Sequence, residues 1–256
     1  MYFDPFNLYL YFVVGLLGLV MGSFLNCYAS RIISGESILR GRSHCTSCGH
    51  ELGALDLVPV FSWIFLKGKC RYCGADVSIR YPLTEFLCFI GYVFIAVKYG
   101  FSIKTVEYIF LFSILFVCSL VDIDDGWIPD RFIIAGIVGF FVFNFNDKGT
   151  VKNGILGGLI IFGVLYLLVF MFNKIKGIDS MGGGDLKLFF MLGLYFGIMK
   201  VVLMAFIACI VGIIFAYARG NKAEEAFPFG PSIAIAAFIT MLTGEEILMW
   251  YLSLFI

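Results

Sequence analysis

Apolar residues are concentrated in eight long runs along the chain, and each run is nearly free of charged side chains. A helix needs about 20 mostly apolar residues to cross a hydrocarbon layer about 30 Å thick. The runs cover residues 8–29, 83–97, 105–121, 132–145, 155–172, 186–198, 201–218 and 231–252. This pattern predicts an all-α polytopic membrane protein with about eight transmembrane helices, of which the fourth and sixth are short.

One long polar stretch interrupts this pattern between the first and second helices. It divides the chain into a first transmembrane helix at 1–30, a small extramembrane module at 31–81 and a membrane-embedded domain at 82–256. No Lys or Arg precedes the first apolar run, and no small-residue cleavage site follows it. A secretory signal peptide would have both features, so we expect the first helix to be retained.

Composition agrees with a lipid environment. Of the 256 residues, 61% are hydrophobic and 14% are charged, and the mean hydropathy is +0.98. Soluble domains are about 45–50% apolar and about 25% charged. This composition excludes an ordinary cytosolic enzyme, a secreted disulfide scaffold and a disordered protein. The 18 Lys and Arg residues balance the 18 Asp and Glu residues, so the net charge predicts no nucleic-acid partner.

The few basic residues are distributed unevenly about the predicted helices. With eight spans, 13 of the 18 Lys and Arg residues follow odd-numbered helices, and 7 of these lie in the module at 31–81. The positive-inside rule assigns the side with more basic residues to the cytoplasm. We therefore predict that the module is cytoplasmic and that both termini lie outside.

The module contains two Cys-x-x-Cys pairs, Cys45 with Cys48 and Cys70 with Cys73, which are separated by 21 residues. Two such pairs at about this spacing indicate a tetrahedral zinc site with four thiolate ligands. A redox dithiol and a pair of disulfides are the alternatives, although disulfides rarely persist in the cytoplasm. Four protein ligands leave no open position for water, so the predicted zinc is structural.

Other residues near the pairs could also bind the metal. His44 and His50 flank the first pair and could replace a thiolate. Four available cysteines make that replacement unnecessary, so we interpret both histidines as polar loop residues. The remaining cysteines lie in or beside apolar runs, and we interpret them as small packing residues. They are Cys27, Cys88, Cys118 and Cys209.

Two acidic groups lie at the ends of predicted helices, on the same predicted face of the membrane. The first follows the third helix and contains Asp122, Asp124, Asp125 and Asp130, and the second is Asp185, preceded by three glycines. Each group alone fits a structural role. The first would be a polar turn in which a proline disfavours further helix, and the second would be a glycine-rich linker whose Asp caps a helix.

Taken together, the two acidic groups predict a catalytic role. Ionisable residues at a membrane are expensive and indicate function. Two carboxyl groups that converge can share a proton, and this supplies an acid and a base to activate water against an amide carbonyl. The spacing does not choose among Asp122, Asp124 and Asp125 as the partner of Asp185. Gly182 and Gly184 would let a substrate backbone approach closely, or would let the loop move.

Seven short motifs follow one another along nearly the whole chain. They are 22–26 (GSFLN), 56–63 (DLVPVFSW), 68–70 (GKC), 80–85 (RYPLTE), 122–130 (DIDDGWIPD), 182–185 (GGGD) and 228–231 (PFGP). In this order they resemble the signatures of type IV prepilin peptidases, the membrane aspartic proteases of type IV pilus, type II secretion and competence systems. Each motif alone is weak evidence, but their joint occurrence in this order is highly specific.

The resemblance implies roles for several residues. It assigns the catalytic pair to Asp122 and Asp185, and the motif of Asp122 includes Pro129. It implies cleavage of a short basic leader from prepilins or pseudopilins after a glycine, at the cytoplasmic face of a bacterial inner membrane. It also implies methylation of the new N-terminal residue with S-adenosylmethionine, which the family ties to residues that match Gly68 and Lys69.

Further roles follow from position as hypotheses. Asp124, Asp125 and Asp130 would attract the basic leader, and Lys187 would orient Asp185 or extend its ammonium group to the interface as helix-end lysines do. A transporter and a scaffold that docks a partner through its zinc module are the alternative functions, without peptidase activity. A transporter would place its acids deep within the spans, whereas a scaffold leaves the acids without a role.

Overall fold

The computed structural model describes residues 5–37, 41–177, 181–218 and 228–254. Within these ranges the regular secondary structure is helical, apart from two isolated backbone bridges in the module, so the all-α prediction is confirmed. The chain forms two compact units, Met1–Thr105 and Val106–Ile256. Arg40, Arg219 and Lys222, which contribute to the predicted charge asymmetry, lie outside the described residues.

The predicted apolar runs coincide with helices. The described residues form α1 (Pro5–Ser34), α2 (Phe61–Phe65), α3 (Arg80–Tyr99), α4 (Ile103–Asp125), α5 (Asp130–Asn144), α6 (Lys148–Lys176), α7 (Gly183–Ala218) and α8 (Gly230–Ser253). Six of these described helices, all except α2 and α5, are long and apolar enough to cross a membrane. The sixth and seventh predicted runs both fall in α7.

In the first unit, α1 and α3 pack against each other in antiparallel directions. Gly18 of α1 faces Cys88 of α3, and Gly22 faces Glu85. A Cβ atom on Gly18 would lie 2.7 Å from the Cys88 carbonyl oxygen, and one on Gly22 would lie 2.8 Å from the Glu85 Cα atom. Small residues permit this close approach in lipid, where apolar burial alone does not drive helix association.

In the second unit, α6 and α7 approach each other through glycines of both helices. A Cβ atom on Gly193 would lie 2.5 Å from the Gly158 Cα atom. A Cβ atom on Gly157 would lie 2.6 Å from the Gly197 carbonyl carbon. The two backbones are therefore in direct contact, and no larger side chain fits between them without displacement.

Helix α7 folds back on itself at Gly197, where φ is 66° and ψ is −175°. Phe189 and Gly212, on either side of this break, both lie against Phe229. The rings of Phe189 and Phe229 are 6.3 Å apart, and a Cβ atom on Gly212 would lie 2.8 Å from the Phe229 ring. In one continuous helix Phe189 and Gly212 would be about 34 Å apart, so the chain must reverse.

The reversal gives α7 two arms, residues 183–196 and 198–218, which correspond to the predicted sixth and seventh helices. With α5 and the other long helices, the described chain then has the predicted eight apolar helical segments. Each arm is shorter than the 36-residue α7, and α5 has only 15 residues. The short lengths predicted for the fourth and sixth segments agree with this arrangement.

Two buried polar contacts connect α5 to its neighbours. Asn144 of α5 donates a hydrogen bond to Glu107 of α4 over 2.7 Å. The Tyr195 hydroxyl of α7 donates to the Gly136 carbonyl of α5, also over 2.7 Å. An unpaired polar group in a membrane interior is costly, so these bonds define the register of α5 against α4 and α7. Those two helices carry the acidic motifs.

The glycine contact between α6 and α7 predicts a specific loss of stability. Replacing Gly157 with Ala forces a methyl group against the α7 backbone, and overpacking of this kind costs about 1–3 kcal/mol. Gly163 of the same helix is the control, because a Cβ atom there meets nothing within 4 Å. In detergent, Gly157→Ala should lower the Tm and Gly163→Ala should not. Equal Tm values for the two variants would contradict the packing.

Candidate active site and metal-binding cluster

The four cysteines of the two Cys-x-x-Cys pairs form one cluster. The sulfur atoms of Cys45, Cys48, Cys70 and Cys73 all lie within 4.8 Å of one another. The Sγ atoms of Cys45 and Cys73 are 3.9 Å apart. Tetrahedral zinc with Zn–S bonds of about 2.3 Å separates its ligands by about 3.8 Å, whereas a disulfide brings sulfurs to about 2.05 Å. All four thiols are free, so the donor set and its spacing fit structural zinc.

Both Cys-x-x-Cys turns are built in the same way. The Gly49 N–H donates to the Cys45 carbonyl over 2.8 Å, and the Gly74 N–H donates to the Cys70 carbonyl over 2.9 Å. These glycines have φ values of 70° and 75°, in the left-handed region that residues with a Cβ atom rarely adopt. The repeated turn directs two thiols from each pair toward a common centre.

Local hydrogen bonds favour ionisation of the Cys45 thiol. Backbone N–H groups of Cys48 and Ser47 lower the pKa of Cys45 to about 6. At Cys73 the Ala75 N–H acts in the same direction, but burial and the neighbouring thiols outweigh it and raise the pKa to about 11. Zinc binds thiolates and releases their protons, so metal binding at this cluster is coupled to proton release.

The two histidines beside the cluster are occupied elsewhere. The His50 ring lies against the Tyr72 ring, with centroids 3.6 Å apart. His44 contacts the backbone carbonyl of Arg42 through its Nδ1 atom. Among the described residues, the metal-ligand cluster contains cysteines alone. This arrangement agrees with the interpretation of both histidines as loop residues.

Asp56 ties the segment between the pairs to the second turn. Its carboxylate accepts hydrogen bonds from Arg71 Nε (2.6 Å), from the Tyr72 hydroxyl (3.1 Å) and from the Gly53 N–H (3.1 Å). Burial acts to raise the pKa of Asp56, but these three donors outweigh it and hold the pKa below its usual value. Because Arg71 and Tyr72 lie inside the second Cys-x-x-Cys pair, this contact braces the cluster.

Gly68 and Lys69, the residues expected to serve methylation, lie beside the cluster. Gly68 is buried with φ at 70°, and a Cβ atom there would lie 3.0 Å from the Trp63 ring. The Trp63 indole N–H in turn donates to the Val77 carbonyl over 2.9 Å. Gly68 therefore has a structural requirement of its own, whereas the Lys69 side chain is exposed.

In the second unit, Asp122 occupies the last turn of α4 and Asp185 occupies the first turn of α7. Asp122 is only 6% exposed, and Asp185 is half-buried. The two carboxyl groups are close enough to interact electrostatically. Asp124 and Asp125 are exposed. Burial and proximity thus distinguish Asp122 from the two alternatives that the sequence left open.

The segment that follows Asp122 also contacts the start of α7, beside Asp185. A Cβ atom on Gly184 would lie 3.1 Å from the Ile128 Cβ atom. Pro129 is the last residue before α5, and the Asp185 N–H donates to the Gly182 carbonyl over 3.2 Å. The glycine-rich segment is therefore packed close to the turn that follows α4, and this brings both motifs to one end of the second unit.

Lys187 contacts a different aspartate from the one that we expected. Its ammonium group lies 2.8 and 2.9 Å from the two Asp130 carboxylate oxygens. Lys187 and Asp185 are two positions apart on a helix, and side chains at that spacing do not face each other. Lys187 therefore links the start of α7 to the start of α5, and it joins the two motifs through Asp130.

One backbone group at this site was not among the predicted functional groups. The Gly230 N–H, at the start of α8, donates to Asp122 Oδ2 over 2.7 Å. Gly230 belongs to the PFGP segment at 228–231, which was noted only through the family resemblance. A backbone donor leaves no mark in a polarity pattern, so the resemblance was the only signal pointing to this position.

A membrane-embedded bundle with paired carboxyl groups and a separate four-cysteine module defines the class of protein. Two family models match the chain: the Bacterial Peptidase A24 N-terminal domain at residues 16–99 and the Type IV leader peptidase family at residues 109–217. The chain belongs to the type IV leader peptidase family, as its resemblance predicted.

Relatives match over nearly their whole length. A prepilin leader peptidase/N-methyltransferase from Dichelobacter nodosus is 32% identical, covering 92% of this chain and 92% of the relative. Proteins of the same name from Aeromonas salmonicida (strain A449) and Neisseria gonorrhoeae are 31% and 27% identical. The alignment with the Aeromonas salmonicida protein covers 96% of this chain and 95% of the relative, and the alignment with the Neisseria gonorrhoeae protein covers 94% of each. No solved structure matches.

The cysteine cluster predicts the effect of removing one ligand. Replacing Cys45 with Ser exchanges a thiolate for a neutral hydroxyl and leaves three sulfur ligands, so zinc should be released. The measurement is the zinc-to-protein ratio of the purified protein, by elemental mass spectrometry. Cys209→Ser is the control, because Cys209 is a free thiol outside the cluster. An unchanged zinc content in Cys45→Ser, or absence of zinc from the wild type, would rule out the site.

Proposed function

We propose that this protein is a membrane aspartic endopeptidase that removes the short basic leader from type IV prepilins or pseudopilins. The observation that carries the proposal is the juxtaposition of Asp122 and Asp185, which come from the ends of two different membrane helices. The family membership and the names of the relatives support the same activity.

The proposed mechanism is general acid–base catalysis. One aspartate is deprotonated and takes a proton from water, whose oxygen attacks the scissile carbonyl carbon. The other aspartate is protonated and donates its proton to the carbonyl oxygen. The roles then reverse, the amide nitrogen receives a proton, and the C–N bond breaks. No covalent enzyme intermediate is required.

The position of the pair fits a substrate that is itself partly in the membrane. The apolar stem of a prepilin would lie among the helices and present its scissile bond at the interface. The basic leader would extend toward Asp124 and Asp125, which are exposed. Each exposed charge pair contributes about 0.2–1 kcal/mol. Asp130 contributes less than we expected, because Lys187 already neutralises it.

The proposed membrane face is cytoplasmic. The fold-back of α7 supports a topology with eight crossings, which is the parity on which the charge argument depends. With that parity, the side richer in Lys and Arg faces the cytoplasm, and it includes the ends of α4 and α7 that carry the aspartates. Both termini would then lie outside the inner membrane.

We also propose that the protein methylates the new N-terminal residue with S-adenosylmethionine, as the relatives' two-part names indicate for them. The methyl group would pass from the sulfonium sulfur to the neutral amine, with loss of one proton from nitrogen. Gly68 and Lys69 are the candidate residues for this activity. The cysteine cluster, with structural zinc, would maintain the fold of the loop that contains them.

The dyad predicts that Asp122→Asn and Asp185→Asn each abolish cleavage. A positioned acid or base contributes about 10²–10⁴-fold to rate, and an amide cannot replace either one. Membranes containing each variant would be incubated with a prepilin, and the leader would be detected by the change in mass of the pilin. Methylation of an already cleaved pilin provides a check that each variant is folded.

Asp124→Asn and Asp125→Asn provide the matched comparison. Each should weaken substrate binding by at most about 1 kcal/mol, without abolishing turnover. Full cleavage by Asp122→Asn or Asp185→Asn would refute the dyad. A wild-type protein that cleaves no prepilin would favour the transporter or the scaffold.

A further inference from the structure

The first residue of α8 contacts an aspartate that is far away in the sequence. The Gly230 N–H donates to Asp122 Oδ2 over 2.7 Å, across a separation of 108 residues. Gly230 is buried, and Asp122 is 6% exposed. In this environment water does not compete strongly for the carboxylate oxygen, so the backbone donor has a large influence on where that oxygen lies.

Glycine is required at position 230 because there is too little space beside its Cα atom for a side chain. A Cβ atom on Gly230 would lie 2.8 Å from Asp122 Oδ2 and 3.2 Å from the Asp122 Cβ atom. Gly230 is not among the described glycines with positive φ, so its backbone conformation is open to other residues. The missing side chain is what allows the N–H to reach hydrogen-bonding distance.

The donor is available because of its position in the helix. The first N–H groups of an α-helix have no partner within the helix, and they form the positive end of its dipole. Gly230 begins α8, and Pro231 follows it in the first turn. The fixed φ angle of proline suits the start of a helix, so the sequence defines the point at which this free donor occurs.

The adjacent aromatic residue fixes the position of the donor relative to the second aspartate. Phe229 lies against Phe189 of the first arm of α7 and against Gly212 of the second arm. Phe189 is four residues after Asp185, which places them on the same face of that arm. The start of α8 is therefore packed against the same arm that carries Asp185.

We propose that Gly230 is a positioning residue for leader cleavage, whose backbone N–H holds the Asp122 carboxylate in the orientation needed to act with Asp185. This inference rests on the proposed peptidase function. Gly230 acts through Asp122, and it need not touch the substrate. The PFGP segment thereby acquires a structural role, because Phe229 and Pro231 place the Gly230 N–H at the aspartate pair.

The test uses the full-length protein in membranes. Gly230→Ala should displace the Asp122 carboxylate and lower kcat for prepilin cleavage by about 100-fold, as misplacement of a catalytic group by about 1 Å does. The KM for prepilin should change little, because Gly230 acts on the Asp122 carboxylate and need not touch the substrate. Gly163→Ala, whose Cβ atom meets nothing within 4 Å, should retain wild-type kcat and KM.

Two further measurements separate positioning from folding. Gly230→Ala should still methylate an already cleaved pilin, because the residues proposed for that activity lie in the first unit. Should Gly230→Ala fail to accumulate, Phe229→Leu takes its place. That change removes the ring contacts that locate the donor, and it should lower kcat with KM retained.

The outcomes distinguish this inference from the function on which it rests. Cleavage by the wild type and loss of cleavage in Asp122→Asn would support the peptidase itself. If Gly230→Ala, or Phe229→Leu in its place, then keeps wild-type kcat, the positioning role is wrong although the function stands. A rise in KM with unchanged kcat would also overturn it, since that result would assign the segment to substrate binding.

Discussion

The hydrogen bond from the Gly230 backbone to the Asp122 carboxylate is the contact on which the candidate active site depends. Burying a carboxylate at the end of a membrane helix is costly, and so is leaving the first N–H groups of a helix without partners. The hydrogen bond pairs the buried Asp122 carboxylate with the first backbone N–H of α8, so both groups have a partner. It joins the end of α4 to the start of α8, and the contact of Phe229 with Phe189 packs the start of α8 against the α7 arm that carries Asp185. Three segments distant in sequence therefore converge at one end of the second unit.

That convergence depends in turn on how closely the helices approach. In lipid there is little hydrophobic gain from bringing two apolar helices together, so association depends on close packing and polar contacts. Gly157 and Gly193 supply backbone contact between α6 and α7. Asn144 and Tyr195 add buried hydrogen bonds at α5. These contacts lie along the helices and hold the ends that carry the aspartates.

Local features of the fold could be predicted from the sequence, because they are encoded within short windows. Apolar runs mark the helices, and each Cys-x-x-Cys pair with its following glycine specifies a turn. The break between the predicted sixth and seventh helices was also expected, but its position was not, because Gly197 lies within residues 193–199, which are apolar and contain no polar residue to mark the reversal. Likewise, the choice of Asp122 over Asp124 depends on burial, which arises only when α8 packs against α4.

The spacing of Lys187 and Asp185 in the sequence disfavours a contact between their side chains. Two positions on a helix point to different faces, so the sequence already argued against Lys187 orienting Asp185. Its actual partner, Asp130, could not be found in this way, because 57 residues separate them and only the meeting of two loops brings them together. Sequence spacing can thus exclude a local contact, but a long-range contact requires the packed helices.

The division of the chain into two units corresponds to a division of the proposed chemistry. The family models match residues 16–99 and 109–217, and each range falls within one compact unit. The aspartates belong to the second unit, whereas the cysteine cluster and Lys69 belong to the first. The apolar stem of a cleaved pilin remains in the bilayer, because removing its apolar side chains from lipid is costly. In the proposed reaction sequence, the new N-terminus would therefore stay at the depth where the leader was cut, and its methylation would not require capture of the product from solution.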